Sequence, residues 1–218
     1  MRSASGMVRK TKRAIGIAGL ILIGLGAAMT PPIALSQESQ RTAAHPKIAN
    51  PASLEGEQAE SVYQAIRESL RRNYANSGEP EAVAYQSWKR FNAVPYRSPN
   101  HGERFVNHYG NDKTSEYGKY EDLQPMPQGA IVIKDSFLVT RQGVLKTGPL
   151  FVMEKMSPGF VSAAGYWRFW MLRPDGSMLG ITQGADARNV QFCAECHKKA
   201  GAKHDHLYFM PPGRRLRR

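Results

Sequence analysis

Between Ser53 and about Asn76 the apolar residues Ala59, Val62, Tyr63, Ile66 and Leu70 recur at three- and four-residue spacings. That spacing gathers side chains on one face of a helix, with Ser53 as N-cap and Gly78 near the end. A second helix is expected from about Pro80 to Phe91, and a third, short one from Arg104 to Tyr109. After Met126-Pro127-Gln128-Gly129 the texture changes to short β-branched and aromatic runs bounded by turn residues. These are Ala130–Lys134, Gly148–Glu154 and Tyr166–Met171, and they predict strands. Arg173-Pro174-Asp175-Gly176-Ser177 has the composition of a hairpin turn leading into Met178–Thr182. The expected fold class is α+β: a mostly antiparallel sheet with N-terminal helices beside it and a short C-terminal helix.

The N-terminus changes the boundaries. A basic stretch, Arg9-Lys10-Thr11-Lys12-Arg13, precedes an uncharged apolar run from Ala14 to Met29 and then Thr30-Pro31-Pro32-Ile33-Ala34-Leu35-Ser36, the order of a secretory signal peptide. Cleavage is expected between Ser36 and Gln37, with export to the periplasm. The alternative is an uncleaved anchor, for which the apolar run is short and is broken by the proline pair. Removing residues 1–36 takes away five basic and no acidic residues, so the formal charge drops from +12 to +7. Much of the basicity therefore belongs to targeting. The remainder, gathered partly in Arg214-Arg215-Leu216-Arg217-Arg218, fits an acidic redox partner, an anionic membrane surface or simply a solvated end. No aromatic interleaving points to nucleic acid. Residues 37–52 read as a flexible leader, and 53–218 as a single domain long enough to build a core.

Both cysteines fall in Cys193-Ala194-Glu195-Cys196-His197. A disulfide three residues apart would restrain little of the unfolded chain, so the pair reads as chemical. In Cys-x-x-Cys-His, two thiols add across the vinyl groups of one haem and the adjoining His197 becomes the proximal iron ligand. Two rivals are weaker. A thiol redox pair wants a thioredoxin-like βαβ context, and a zinc set of Cys193, Cys196, His204 and His206 lacks the usual ligand spacing. Only 21 residues follow His197, and Met210, the methionine among them, lies in the apolar run Leu207–Met210, which suits core packing. The sixth iron position is therefore expected to stand open, for ligand binding rather than simple electron carriage. Strand-rich residues 129–182 argue against a four-helix cytochrome.

The C-terminal haem motif, together with Pro127–Asp135, Pro149–Lys155 and Gly165-Tyr166-Trp167-Arg168, resembles the cytochrome P-460 family from about His101 to Pro211. The resemblance implies an antiparallel sheet with flanking helices, one covalent haem c, and the homodimer that family members often form. It also implies oxidation of hydroxylamine or a related small nitrogen compound, with electrons passed to a periplasmic partner. Uncross-linked relatives bind nitric oxide and similar gases instead. Lys134 occupies the place of the family lysine that bonds to the porphyrin. Strand geometry puts it on one face with Ala130 and Val132, where burial favours the nucleophilic amine; the plain alternative is a packed stem with a solvated ammonium. Arg104 resembles the family's distal arginine and Glu154 its proton-passing carboxylate, each against the plainer reading of a surface side chain. The long first helix has no assigned counterpart, and Lys155–Gly165 is shorter than in the enzymes.

His45, His101, His108, His204 and His206 are each candidates for a distal haem ligand, against the plainer reading that isolated histidines in polar segments are usually exposed. Asp205, between the last two, matches an acidic family position and is expected to orient the terminal loop. Trp167, Phe169 and Met171 share a strand face and read as core or haem packing.

Overall fold

The computed structural model describes residues 48–160 and 162–216. The expected signal peptide, most of the leader, His45, Arg217 and Arg218 lie outside the described residues. Among the described residues no helix is long and apolar enough to cross a membrane.

Helix α1 spans Gly56–Ala75 and buries Ala59, Tyr63, Ile66, Leu70 and Tyr74, the face that the three- and four-residue spacing selects. Its N-cap is Glu55, with no side-chain cap, and the Ser53 hydroxyl instead bonds the Asn50 carbonyl at 3.3 Å. The second expected helix is cut short. Helix α2 covers only Pro80–Ala84, followed by a 3₁₀ turn at Tyr85–Ser87 and strand β1 at Lys89–Arg90. Ser87 Oγ bonds back to the Ala84 carbonyl at 2.7 Å, a local bond that competes with helix continuation.

The third expected helix is a strand. After β2 (Tyr96–Ser98), β3 runs Arg104–Gly110, and its alternation was obscured because the polar Asn107 and His108 are both buried. Strands β4 (Ile131–Val139), β5 (Leu145–Thr147), β6 (Leu150–Lys155), β7 (Trp167–Leu172) and β8 (Met178–Ile181) complete one sheet of order β1-β3-β4-β6-β7-β8. β2 shares an edge of β3 with β1, and β5 an edge of β4 with β6; every pairing is antiparallel. The β7–β8 hairpin closes through Arg173–Ser177 as expected, with bonds from Arg173 N to the Ser177 carbonyl (2.8 Å) and Gly176 N to the Arg173 carbonyl (2.9 Å). The cysteine motif lies on α3, Gln191–Lys198.

The sheet separates two interiors. Phe105, Tyr109, Ile131, Ile133, Phe137 and Leu150 pack with the α1 face. Ala130, Val132, Met153, Trp167 and Phe169 pack with Ala194, Leu207 and Met210 of the C-terminal segment. The first interior holds a carboxylate. Asp135 accepts bonds from Tyr63 Oη (2.8 Å), Tyr85 Oη (3.1 Å) and Asn107 Nδ2 (2.9 Å). Burial outweighs these bonds and pushes its pKa up to about 6. A carboxyl raised above its ordinary value favours folding most at acid pH, and that advantage fades as pH rises from about 4 through 6. Asp135→Asn is therefore expected to lose this fall. Urea unfolding of both proteins at pH 4 and pH 7 checks it: the stability difference between variant and parent should shift toward the variant as pH rises.

The basic tail is not simply solvated where it is described. Leu216 N bonds the Phe91 carbonyl (3.0 Å) and Ala93 N the Arg214 carbonyl (3.2 Å). Arg215 makes a two-pronged pair with Glu121 and lies 3.9 Å from the centre of the Tyr120 ring. At the other end Ile48 N bonds the Gly143 carbonyl at 2.9 Å, which holds the last leader residues to the sheet.

Candidate functional site

On the face of the sheet away from α1 lies a cavity of about 330 Å³, within the size range of cofactor and small-molecule sites. Helix α3 contributes Cys193, Cys196 and His197 to its wall, β4 contributes Val132 and Lys134, and β6 and β7 contribute Met153, Phe169 and Met171. Three-residue spacing on α3 is nearly one helical turn, so both cysteines face the same way. They carry free thiols, and burial pushes the Cys193 thiol up to about 12.

His197 is buried between Phe169 and Tyr208, with ring centres at 5.2 and 5.4 Å. Its Nδ1 lies 2.8 Å from the His206 carbonyl. A carbonyl only accepts, so Nδ1 carries the proton and Nε2 keeps its lone pair, the tautomer a metal-binding histidine needs. Burial, and after it the nearby Lys134 charge, lowers its pKa to about 4, so it is neutral at physiological pH. The terminal loop that supplies this carbonyl is fixed by Asp205. One carboxylate oxygen accepts from Met126 N at 2.9 Å, the other pairs with the buried Lys155, and the Asp205 carbonyl accepts from Trp167 Nε1 at 2.7 Å. The expected role of Asp205 in orienting the loop thus has a physical basis.

Lys134 sits opposite His108 on β3 and Phe151 on β6, on the cavity face with Ala130 and Val132. It is only 7% exposed, and burial lowers its pKa to about 8. Its Nζ donates to His101 Nε2 at 3.3 Å. Of the candidate distal histidines, His101 is the one that lines this cavity among the described residues. It ends a short 3₁₀ turn, Pro99–His101, and stacks edge-on against Phe151 at 4.9 Å.

Arg104 lies on β3 and lines the same cavity. Glu154 does not line it; it is on the other face of β6 from Met153 and pairs with Arg168 on β7, the salt bridge weighed as its plainer reading. Met210 is buried in the second core, away from the cavity wall. His108 spends both ring nitrogens on tyrosines, Nε2 with Tyr96 Oη (2.8 Å) and Nδ1 with Tyr117 Oη (2.7 Å). His204 packs against Phe209, and among the described residues no three His, Cys, Asp or Glu side chains come together as a metal site, so the zinc set is not assembled. Trp167, Phe169 and Met171 do share the cavity-side face, as packing residues.

These features suit haem: paired thiols on one helix face, a buried neutral imidazole whose free nitrogen belongs to the cavity side, and flat apolar walls. The family described as Cytochrome P460 matches residues 82–209. Among curated proteins the sequence has no match.

Proposed function

The chain belongs to the cytochrome P460 family, and from that premise we propose that it is an exported protein with one covalent haem c, oxidising hydroxylamine or a related small nitrogen compound. One observation carries the reading: a single cavity brings Cys193, Cys196 and His197 together with the buried amine of Lys134. Haem supplies the redox-active iron and a position for a small ligand. In this reading Cys193 and Cys196 tether it, and the His206 carbonyl keeps His197 in the ligating tautomer. Arg104 offers a cation to a polar ligand.

Lys134 is the residue on which the reading turns. Its lowered pKa leaves about half of the amine neutral near pH 8, where an ordinary lysine is almost wholly charged. A neutral amine is the nucleophilic form, which supports a bond from Lys134 to a porphyrin carbon, formed as one N–H and one ring C–H bond break with two protons released and two electrons passed to an external oxidant. The expected result is a tryptic Lys134 peptide that co-migrates with haem in mass spectrometry. Lys134→Met is expected to restore an ordinary c-type spectrum and to abolish hydroxylamine oxidation. A Lys134 peptide free of haem in the active protein sinks the cross-linked version.

The apolar wall of Val132, Met153, Phe169 and Met171 favours a second reading, a nitric oxide or other gas-binding protein without the lysine bond. It predicts a five-coordinate ferrous spectrum that shifts with gas and no hydroxylamine turnover. The exported enzyme also requires an electron-accepting partner, and the family's habit of dimerising extends to a homodimer here.

A further inference from the structure

The polar side chains lining the cavity outside α3 come from the turn around Asn100–Arg104, from β4 and from Tyr208, whose hydroxyl donates to the Cys196 carbonyl at 3.1 Å. Arg104 offers donors only, Asn100 an amide that both donates and accepts, and the Lys134 amine is the group proposed above to bond the porphyrin. His101 differs from these in presenting a ring acceptor that is held in place on its far side. Burial, and after it the Lys134 charge, lowers its pKa to about 2, so the ring is neutral. Because Nε2 accepts from Lys134 Nζ, the proton sits on Nδ1, which donates to Ser98 Oγ at 2.8 Å. Ser98 is itself buried and fixes the ring from behind. No carboxylate lines the cavity among the described residues, since Glu154 is tied to Arg168.

The placement relative to His197 is also defined. His101 rests on Phe151 and His197 on Phe169. Phe151 pairs with Met171, and Phe169 lies two residues earlier on the same strand face. Such diagonal neighbours are on the order of 7–8 Å apart. Two neutral imidazoles, one from the turn before β3 and one from α3, thus address one cavity against phenylalanines of adjacent strands, one with its lone pair turned to an N–H donor and the other with its lone pair suited to iron.

We propose that His101 is the substrate-recognising acceptor of this cavity, its Nε2 taking the hydrogen bond of an N–H or O–H group on a small nitrogen compound where it otherwise takes that of Lys134. This rests on the haem-site reading above and sharpens it. Hydroxylamine carries N–H and O–H groups that His101 can bind, whereas nitric oxide and carbon monoxide carry none. The residue therefore separates an enzyme for protonated nitrogen compounds from a gas binder.

The test uses the exported, haem-loaded protein and absorbance titrations with hydroxylamine and with carbon monoxide. His101→Leu is expected to weaken hydroxylamine binding by roughly tenfold or more while carbon monoxide affinity stays within about twofold. His101→Gln, whose side-chain carbonyl accepts, should recover part of the loss. Equal changes for both ligands, or no change for either, overturn the proposal. So does a six-coordinate parent spectrum that becomes five-coordinate in His101→Leu, which makes His101 an iron ligand. A parent protein that neither binds nor oxidises hydroxylamine overturns the functional reading as well. Tight parent binding that His101→Leu leaves unaltered removes only the role of His101.

Discussion

In a Lys134→Met background, which lacks the other proposed bond to the porphyrin, replacing Cys193 and Cys196 together with alanine is expected to leave the exported polypeptide with no haem that survives denaturation. Both thiols face the cavity from one side of α3, so the two attachments are made by neighbouring groups on a rigid element. His197 alone offers a coordination bond, which unfolding releases. Intact mass spectrometry reads the outcome directly: the double variant should have the mass of the polypeptide, and the parent that mass plus one haem. Each single variant retains one thiol and is expected to attach haem in lower yield. Covalent haem on the double variant would falsify the assignment of these cysteines. Without the group that the cavity suits, Val132, Met153, Phe169 and Met171 lose packing partners, so the double variant is also expected to melt at a lower temperature.

Asp205→Ala is the substitution with the largest expected cost in stability, about 3–5 kcal/mol, because it strands the ammonium of a buried lysine. The Lys155 and Asp205 side chains are 8% and 9% exposed, and the Lys155 amine lies over the Trp167 ring at 5.0 Å from its centre. The Met126 amide loses its acceptor at the same time. The damage should also reach His197, whose Nδ1 depends on the carbonyl of the next residue, His206. Denaturant unfolding gives the first effect, and a disturbed haem spectrum in the folded variant gives the second. The double variant Lys155→Met with Asp205→Ala removes both charges and should be more stable than Asp205→Ala alone. If the two losses simply add, the pair is not coupled and the argument fails.

The parts of the fold legible in the sequence were those where polarity and burial agree. The α1 stripe, the runs that became β4, β6 and β7, and the Asp175-Gly176 turn follow local rules that tertiary context did not override. β3 reads locally as a helix because Asn107 and His108 look solvated, yet one serves the Asp135 network and the other bridges two tyrosines. Short strands β1, β2 and β5 carry too few residues for periodicity to register. The site divides the same way. Cys193, Cys196 and His197 are adjacent and so announce themselves, and the resemblance supplied Lys134 and Arg104. His101 becomes a cavity residue only through the pairing of β3 with β4 and of β4 with β6, information no local window contains. The terminal loop is similar: the weight of Asp205 comes from Lys155 and Met126, far back in the chain.

Lys134 and Asp135 are consecutive residues at the centre of the sheet, and they face opposite interiors. One answers to His101 in the cavity, the other to Tyr63, Tyr85 and Asn107 beside α1. Most residues of β4 are apolar and would tolerate a shift by one position, since both interiors are built of aliphatic and aromatic side chains. The charged dipeptide would not. A one-residue slip exchanges the two faces, driving an ammonium in among three hydrogen-bond donors and a carboxylate against methionine and phenylalanine, each an uncompensated buried charge. The pair therefore acts as a proofreading key for strand alignment, and it does so in the bare polypeptide, before any prosthetic group arrives to reward the correct arrangement.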